Sequence, residues 1–397
     1  MIDLDYDQRV LYRRRDVGEG EIDGDLLLFS ATDRRLHQLN RSAASIWGAV
    51  GGGRTCAEIV GIVADEYAVE PSSIRTDVIA VLESLAEGGL VRETDEHTAE
   101  PAGRRAPISA PVEGAVRVGP VRAIDTSVFF DIGSPDHPES AEVREKLERA
   151  LAPLLPMYGA MVELNEPPRS VAVLRAERDD DGWSVHRGER AAIGRCGVDT
   201  AVRALLTELN VVALEGAHDS LVLHAASIEF EAGVVVFPGV SNAGKSTLAA
   251  QLVERGHRYV TDEATACTAA LTARPFHKSL CLEPGAQRVL PHLAPVGGPT
   301  HGVWDVDPRS IGPGLLSSGG PIVGIVFPRY TAGGGVALRP LAELATVELL
   351  LENAFDFAHL GASAFERIAE IARTIPCFAL DHGGQPEVVT LLERQFG

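Results

Sequence analysis

Basic residues are in short supply in this chain: 36 Lys and Arg stand against 56 Asp and Glu, leaving a formal charge of −20. A surface of that sign repels nucleic-acid phosphate and anionic lipid, which argues against nonspecific DNA or membrane-surface binding. Cysteine is scarce as well. Cys56, Cys196, Cys267, Cys281 and Cys377 lie far apart, without CxxC spacing or a neighbouring histidine cluster. Neither a zinc site nor a disulfide framework is expected, and a reducing compartment fits. No run approaches the roughly 20 apolar residues that span a bilayer. The opening MIDLDYDQRVLYRRR has no apolar signal core. The expectation is a cytoplasmic protein with no nucleic-acid and no membrane partner.

What is present suits large cores. Of the 397 residues 45% are hydrophobic, room for two or three domains. Thr94–Val116 holds several prolines, few large apolar residues and no periodicity, so a flexible linker is expected there. It separates residues 1–93 from 117–397, the latter read as a subregion 117–220 and a core 221–397. In front of the linker, Asp25–Asn40 reads as two short strands around a turn at Thr32-Asp33. A helix is predicted over Ser42–Val50. A second opens on Thr55-Cys56-Ala57-Glu58, which has capping-box spacing, with Ile59, Val60, Val63 and Tyr67 as its apolar stripe. A third spans Pro71–Glu87, turning Ile74, Val78, Val81, Leu82 and Leu85 inward, and a short strand Leu90–Glu93 closes the region. Beyond the linker, strands are predicted at Val121–Ile132 and Ser170–Glu177, and helices at Glu139–Leu151 and Val198–Glu215. From Leu221 the pattern tightens: strands Leu221–Phe230 and Gly233–Phe237, helix Lys245–Arg255, strand Arg258–Thr261. Later elements are a strand near Ile322–Phe327 and helices near Leu344–Asn353 and Ala364–Thr374. The fold class is α/β with α+β elements, a winged helix-turn-helix leading into a phosphate-loop domain.

Gly239-Val240-Ser241-Asn242-Ala243-Gly244-Lys245-Ser246 fits G-x-x-x-x-G-K-[ST] in full, between a β-rich apolar run and an amphipathic helix. Glycines let the backbone wrap a phosphate so that its N–H groups point at the oxygens, and the helix N-terminus adds partial positive charge. With Thr247, these residues are the candidate nucleotide site. Lys245 would reach the β- and γ-phosphates of ATP (GTP is the alternative), and Ser246 would ligate Mg²⁺. The next strand ends at once in Asp262-Glu263, which brings two carboxylates to the carboxyl edge of the sheet, where phosphates bind.

This compact arrangement resembles the HPr kinase/phosphorylase family and its relative phosphoenolpyruvate carboxykinase. The matching segments are Leu223-His224-Ala225, Gly239–Ser246, and Gly256-His257-Arg258-Tyr259-Val260-Thr261-Asp262-Glu263, the last against the family's GHxxVxDD. The resemblance implies that Asp262 and Glu263 form the catalytic acidic pair, one as base and one holding Mg²⁺, with the assignment open. It also implies that His224 orients the pair or the acceptor. Glu263 stands where the family has aspartate. The family's EIRGLG segment is missing; Arg274-Pro275-Phe276-His277-Lys278-Ser279-Leu280 occupies its place. Lys278, and Arg329 in Phe327-Pro328-Arg329-Tyr330, are therefore candidate cations for substrate or phosphate. The missing segment argues against HPr as the acceptor.

The front region, about Leu26–Glu93, resembles PqqD-like peptide-recognition elements of ribosomal peptide modification. Leu36–Trp47, Thr55–Val60 and Asp77–Val91 carry the likeness. The resemblance implies that a precursor's leader peptide adds as an edge strand beside Asp25–Leu39 and lies against Pro71–Glu87, by β-augmentation. A DNA-binding winged helix is the competing reading. Arg75 is the only cation of that third helix, against Asp77, Glu83 and Glu87, so it would meet phosphate poorly. Together these readings imply a kinase phosphorylating Ser or Thr of a leader-captured precursor peptide. Other maturation enzymes are admissible partners, and a homo-oligomer is left open. A kinase for a small-molecule hydroxyl and a nucleotide-dependent switch or scaffold are the alternatives.

Overall fold

The computed structural model describes residues 6–93 apart from 15, 23, 31, 32 and 34, then 115–133, 137–154, 170–217, 219–293, 304–355, 360 and 362–397. All but the last residues of the predicted linker lie outside this set. The chain forms two compact units. One comprises residues 1–103, 343–347 and 357–374; the other comprises 104–342, 348–356 and 375–397.

In the first unit, strands Val17–Ile22, Asp25–Ser30 and Arg35–Leu39 form an antiparallel sheet in that order. Leu28 lies opposite His37, and Leu26 opposite Leu39. Helices Arg41–Val50, Cys56–Tyr67 and Pro71–Glu87 pack on one face of it, with Leu28, Trp47, Ile59 and Leu82 at the centre of the core. Their starts are chemically explicit. Asn40 accepts the Ala43 N–H, and Thr55 and Glu58 complete the predicted capping box. Pro71 sits at the first turn of the third helix, where a missing N–H costs nothing. Tyr67 departs from the predicted stripe: it is 42% exposed, and its hydroxyl lies 3.1 Å from Ser45 Oγ. A small sheet of Arg54–Thr55, Val10–Arg13 and Val91–Arg92 closes the base.

The other face of the three-stranded sheet is covered by a helix from far along the chain, Ala362–Thr374. Phe365 stacks on Phe29 at 5.6 Å, and the close approach is possible because Gly18 and Gly20 carry no side chain. A Cβ on Gly18 would sit 2.5 Å from Phe365 Cβ, and one on Gly20 would sit 2.5 Å from Ala369 Cβ. Both faces are thus buried, while among the described residues no strand pairs with the outer edge of Arg35–Leu39.

The second unit contains two larger sheets. Five strands run in the order Arg190–Cys196, Gly182–Arg187, Ser170–Asp179, Thr126–Ile132, Val116–Ala123, with helices Pro138–Leu151 and Val198–Gly216 packed on them. The stretch predicted as one strand, Val121–Ile132, is instead split between two antiparallel strands by a turn at Ile124, whose φ is +53°. The second sheet has eight strands and turns back on itself. Val234–Pro238 pairs antiparallel with Leu221–Glu229 and parallel with Gly320–Tyr330, which in turn runs parallel to Cys377–His382. Helix Lys245–Glu254 packs against this sheet. Among the described residues no helix is long and apolar enough to cross a membrane.

Candidate functional site

The buried strand Val234–Pro238 delivers the chain straight into the loop Gly239–Gly244, and helix Lys245–Glu254 begins at once. Val240, Ser241 and Asn242 form an exposed crest, Ser246 and Thr247 are half-buried, and Gly239 and Ala243 are buried. Two further parallel strands end beside this loop, carrying Arg329-Tyr330 and Asp381-His382. Gly244, with φ +90°, has no room for a Cβ: one would lie 3.0 Å from His382 Cε1 and 3.3 Å from Tyr330 Cβ. His382 is 3% exposed, and neither ring nitrogen makes a well-formed hydrogen bond. Burial lowers its pKa. Nothing in the sequence pointed to His382, because it reaches the loop only through strand pairing across more than a hundred residues.

Lys245 is 7% exposed and donates to the carbonyls of Gly239 at 2.6 Å and Val240 at 3.1 Å. Burial lowers its pKa, and the charges of Glu263 and Asp262 oppose that shift. The short strand Arg258–Thr261 ends in those carboxylates, as the motif spacing predicts. Asp262 is buried. Its Oδ2 accepts the Cys281 N–H at 3.0 Å, and its Oδ1 lies 3.1 Å from the Tyr259 hydroxyl and 3.5 Å from Lys278 Nζ. Burial raises the pKa of Asp262; Lys278 pulls it back down, while Glu263 pushes it further up. Glu263 keeps 35% of its side chain exposed, and its Oε2 is 3.2 Å from Lys278 Nζ.

Lys278 is held between the two carboxylates by the segment around it. Phe276 is fully buried, His277 hydrogen-bonds the Ser317 carbonyl at 2.7 Å, and the Ser279 hydroxyl donates to Ala150 O at 2.7 Å. Burial works to lower the pKa of the ammonium, but Asp262 and Glu263 outweigh it and its pKa is raised. His224 lies on strand Leu221–Glu229, its carbonyl accepting the Gly239 N–H at 3.2 Å and its ring 5.6 Å from Phe355. Burial, then the positive charge of Lys245, lower its pKa, while Glu263 and Asp262 act the other way. The structure thus gathers Lys245, Asp262, Glu263, His224 and Lys278. Arg329 is placed differently: it pairs with Asp381 at 2.6 Å on the surface, with 74% of its side chain exposed.

These groups suit a magnesium nucleotide. The loop offers a backbone cradle with a buried ammonium at its base, and Mg²⁺ characteristically takes one or two carboxylates with phosphate oxygens and water rather than a full protein cage. Among the described residues no group of three or more His, Cys, Asp or Glu forms such a cage.

Comparison with known proteins gives a family match over part of the front region and solved structures of low identity and low overall similarity. Residues 25–91 match the family described as "Coenzyme PQQ synthesis protein D (PqqD)". No curated protein matches the chain. One solved structure, TbiB1 in complex with the TbiA(beta) leader peptide, shares 20% identity over 21% of this chain and 99% of its own, at a TM-score of 0.19. Another, the Hpr(Ser) kinase/phosphatase from Coxiella burnetii, shares 15% identity over 44% of this chain and 91% of its own, at a TM-score of 0.25. The chain therefore carries a PqqD-like segment at residues 25–91, ahead of a mixed α/β unit with a glycine-rich loop and an acidic pair.

Proposed function

We propose that this protein is an ATP- and Mg²⁺-dependent kinase that phosphorylates a Ser or Thr hydroxyl of a ribosomally made precursor peptide. The observation that carries the reading is the cluster beside the glycine-rich loop, where Lys278 stands between Asp262 and Glu263 within the field of Lys245. A nucleotide-dependent switch has no need of a buried ammonium shared by two carboxylates. Phosphoryl transfer needs charge and position more than covalent help. Ser246 and Asp262 are the residues that would hold Mg²⁺, which would neutralise charge on the transferring group. Glu263 is the more open carboxylate, and we assign it the acceptor proton. Asp262, enclosed by Tyr259, Lys278 and the Cys281 backbone, fixes Lys278 in place. The acceptor oxygen bonds to the γ-phosphorus as its proton passes to Glu263. The bond to the bridging oxygen breaks, and its electron pair departs with ADP.

The match of residues 25–91 to the PqqD family supports the other half of the reading. On it, the hairpin and three helices act as a winged-helix clamp, and the leader pairs with the open edge of Arg35–Leu39. Tethering then raises the local concentration of the acceptor segment. The test incubates the full chain with Mg-ATP and precursor peptides encoded beside its gene, followed by mass. One phosphate should be gained, and removing the leader should raise KM about 100-fold with little change in kcat. Equal KM values with and without leader would favour a small-molecule or leader-independent kinase. No phosphate gain on any peptide would overturn the reading.

A further inference from the structure

Four strands end along the sheet edge that carries the glycine-rich loop, and their order fixes what stands on each side of it. Arg258–Thr261 and Val234–Pro238 lie on opposite sides of Leu221–Glu229, both antiparallel to it. Gly320–Tyr330 and then Cys377–His382 follow beyond Val234–Pro238, parallel to it. The acidic pair therefore stands on one side of the loop, and Tyr330 stands on the other. Their strands are three spacings apart, about 14 Å, which is on the scale of an extended nucleoside triphosphate. A triphosphate whose γ end meets Asp262 and Glu263 carries its nucleoside toward Tyr330.

Tyr330 is built into the wall of the loop and is still open to solvent. A Cβ on Gly244 would lie 3.3 Å from Tyr330 Cβ, so the two residues are in direct contact, yet 39% of Tyr330 remains exposed. The buried ring of His382 meets the Tyr330 ring edge to face at 5.7 Å. Beside it runs the turn Gly383-Gly384, where a Cβ on Gly384 would lie 3.6 Å from Tyr330 Cε2. That turn is braced from two directions. Gly383 N–H donates to Gln385 Oε1 at 2.8 Å, and Gln251, on the helix that begins at the loop, donates to the Gly384 carbonyl at 3.3 Å. The tyrosine ring is thus backed by fixed neighbours while part of its surface stays open.

A nucleobase stacks on an aromatic ring through its π face, and the contact tolerates different bases because each has such a face. Hydrogen bonds to the base edge would discriminate, but the Gly383 N–H and the Gly384 carbonyl are already engaged. We propose that Tyr330 is the platform on which the base of the bound nucleotide stacks, and that the site takes adenine and guanine nucleotides alike. The inference rests on reading Gly239–Ser246 as a nucleoside triphosphate loop, and adds to it a subsite for the base that the motifs do not contain. Tyr330 touches no reacting atom; it is a binding residue.

The test separates the base from the phosphates. Titration calorimetry on the full chain uses three probes: the non-hydrolysable analogues Mg-AMPPNP and Mg-GMPPNP, and Mg-tripolyphosphate, which has no base. Wild type should bind the two nucleotides within about threefold of each other. Tyr330→Ala keeps the Cβ that packs on Gly244 and removes the ring, and should raise Kd for both nucleotides about tenfold. Tyr330→Leu, which restores bulk without a π face, should behave like Tyr330→Ala, and Tyr330→Phe should stay within about twofold of wild type. Tripolyphosphate should bind all four proteins equally. Nucleotide affinity that ignores Tyr330→Ala and Tyr330→Leu would place the base elsewhere. Tripolyphosphate weakened as much as the nucleotides would make Tyr330 a strut of the loop rather than a platform. A preference above about tenfold for one purine would overturn the even-handed site. Failure of wild type to bind any probe would remove the nucleotide loop and the platform together. The expected binding pattern without phosphate transfer to any peptide would keep the platform and remove the kinase reading.

Discussion

Arg75 and Asp7 pair in the first unit with 22% and 26% of their side chains exposed, whereas Lys278 and Asp262 pair in the second with 14% and 1% exposed. Each joins a cation to an aspartate, arginine in one and lysine in the other, and the settings differ. Pairs open to water contribute about 0–1 kcal/mol, since water competes for both partners. Enclosing such a pair costs several kcal/mol of desolvation, and well-packed apolar residues would stabilise a fold at least as well. A lysine kept charged in that setting, beside a glycine-rich loop, is therefore better explained by chemistry than by folding. The first unit spends its burial differently, on apolar contact across both faces of a small sheet.

The sharpest way to break this contrast is to remove the buried ammonium. Lys278→Met should destabilise the second unit by about 3–5 kcal/mol, because Asp262 is left as an uncompensated buried carboxylate. Transfer should fall by at least about 100-fold as well. Asp262→Asn with Lys278→Met should recover much of the stability and none of the activity. Denaturant unfolding of the three proteins, with the peptide assay alongside, decides it. A single variant that keeps full stability would mean that the pair is solvated in the protein. Recovery of activity in the double variant would remove Lys278 from the chemistry.

The second test probes apolar burial in the first unit. Phe365 is fully buried against Phe29, Gly18 and Gly20. Phe365→Ala should cost about 3–4 kcal/mol through lost transfer energy and the cavity left behind. Gly20→Ala should cost about 1–3 kcal/mol by overpacking against Ala369. Adding Ala369→Gly to Gly20→Ala should return part of that loss, because the two methyl groups contend for one space. Thermal unfolding that ignores all of these substitutions would show that helix Ala362–Thr374 does not cover the sheet.

That helix also marks where reading the sequence stopped. Its existence was legible, since its apolar residues keep a helical period, and so were the three helices after Asn40, the second with its capping box. Its packing partner was not. Gly18 and Gly20 carry no pattern of their own, and the two segments are separated by more than three hundred positions. The acidic pair and the loop were legible because local spacing alone brings them to one sheet edge. Lys278 was visible only as a candidate cation, since its burial depends on Phe276 and His277 being anchored. Arg329 looked equivalent in sequence and lies on the surface with Asp381. His382 left no local signal, because parallel strand pairing brings it to the loop. The strand predicted over Val121–Ile132 failed for a different reason. The turn falls at Ile124-Asp125, and Asp125, followed by Thr126-Ser127, is a local turn signal that the single-strand reading passed over.

The third test concerns pH and how dry the anchor of Lys278 is. Burial lowers the pKa of His277 to about 4, so the folded protein leaves this ring neutral through the mildly acidic range. The unfolded chain takes up the proton near the ordinary histidine value of 6.5. Between those two values the unfolded state binds more protons, and stability contributed by neutral His277 is lost as pH falls through about 4. The penalty between pH 7 and pH 4 is about 3 kcal/mol from this one ring. His277→Gln can still donate to the Ser317 carbonyl but cannot titrate. Its stability curve should run closer to level over that range, with the gap from wild type closing as the pH is lowered. Among the described residues of the first unit no histidine is enclosed so fully, and acid should loosen the second unit first. Parallel curves for wild type and His277→Gln would place water around the ring, and with it around the carbonyl anchor that holds Lys278 between its two carboxylates.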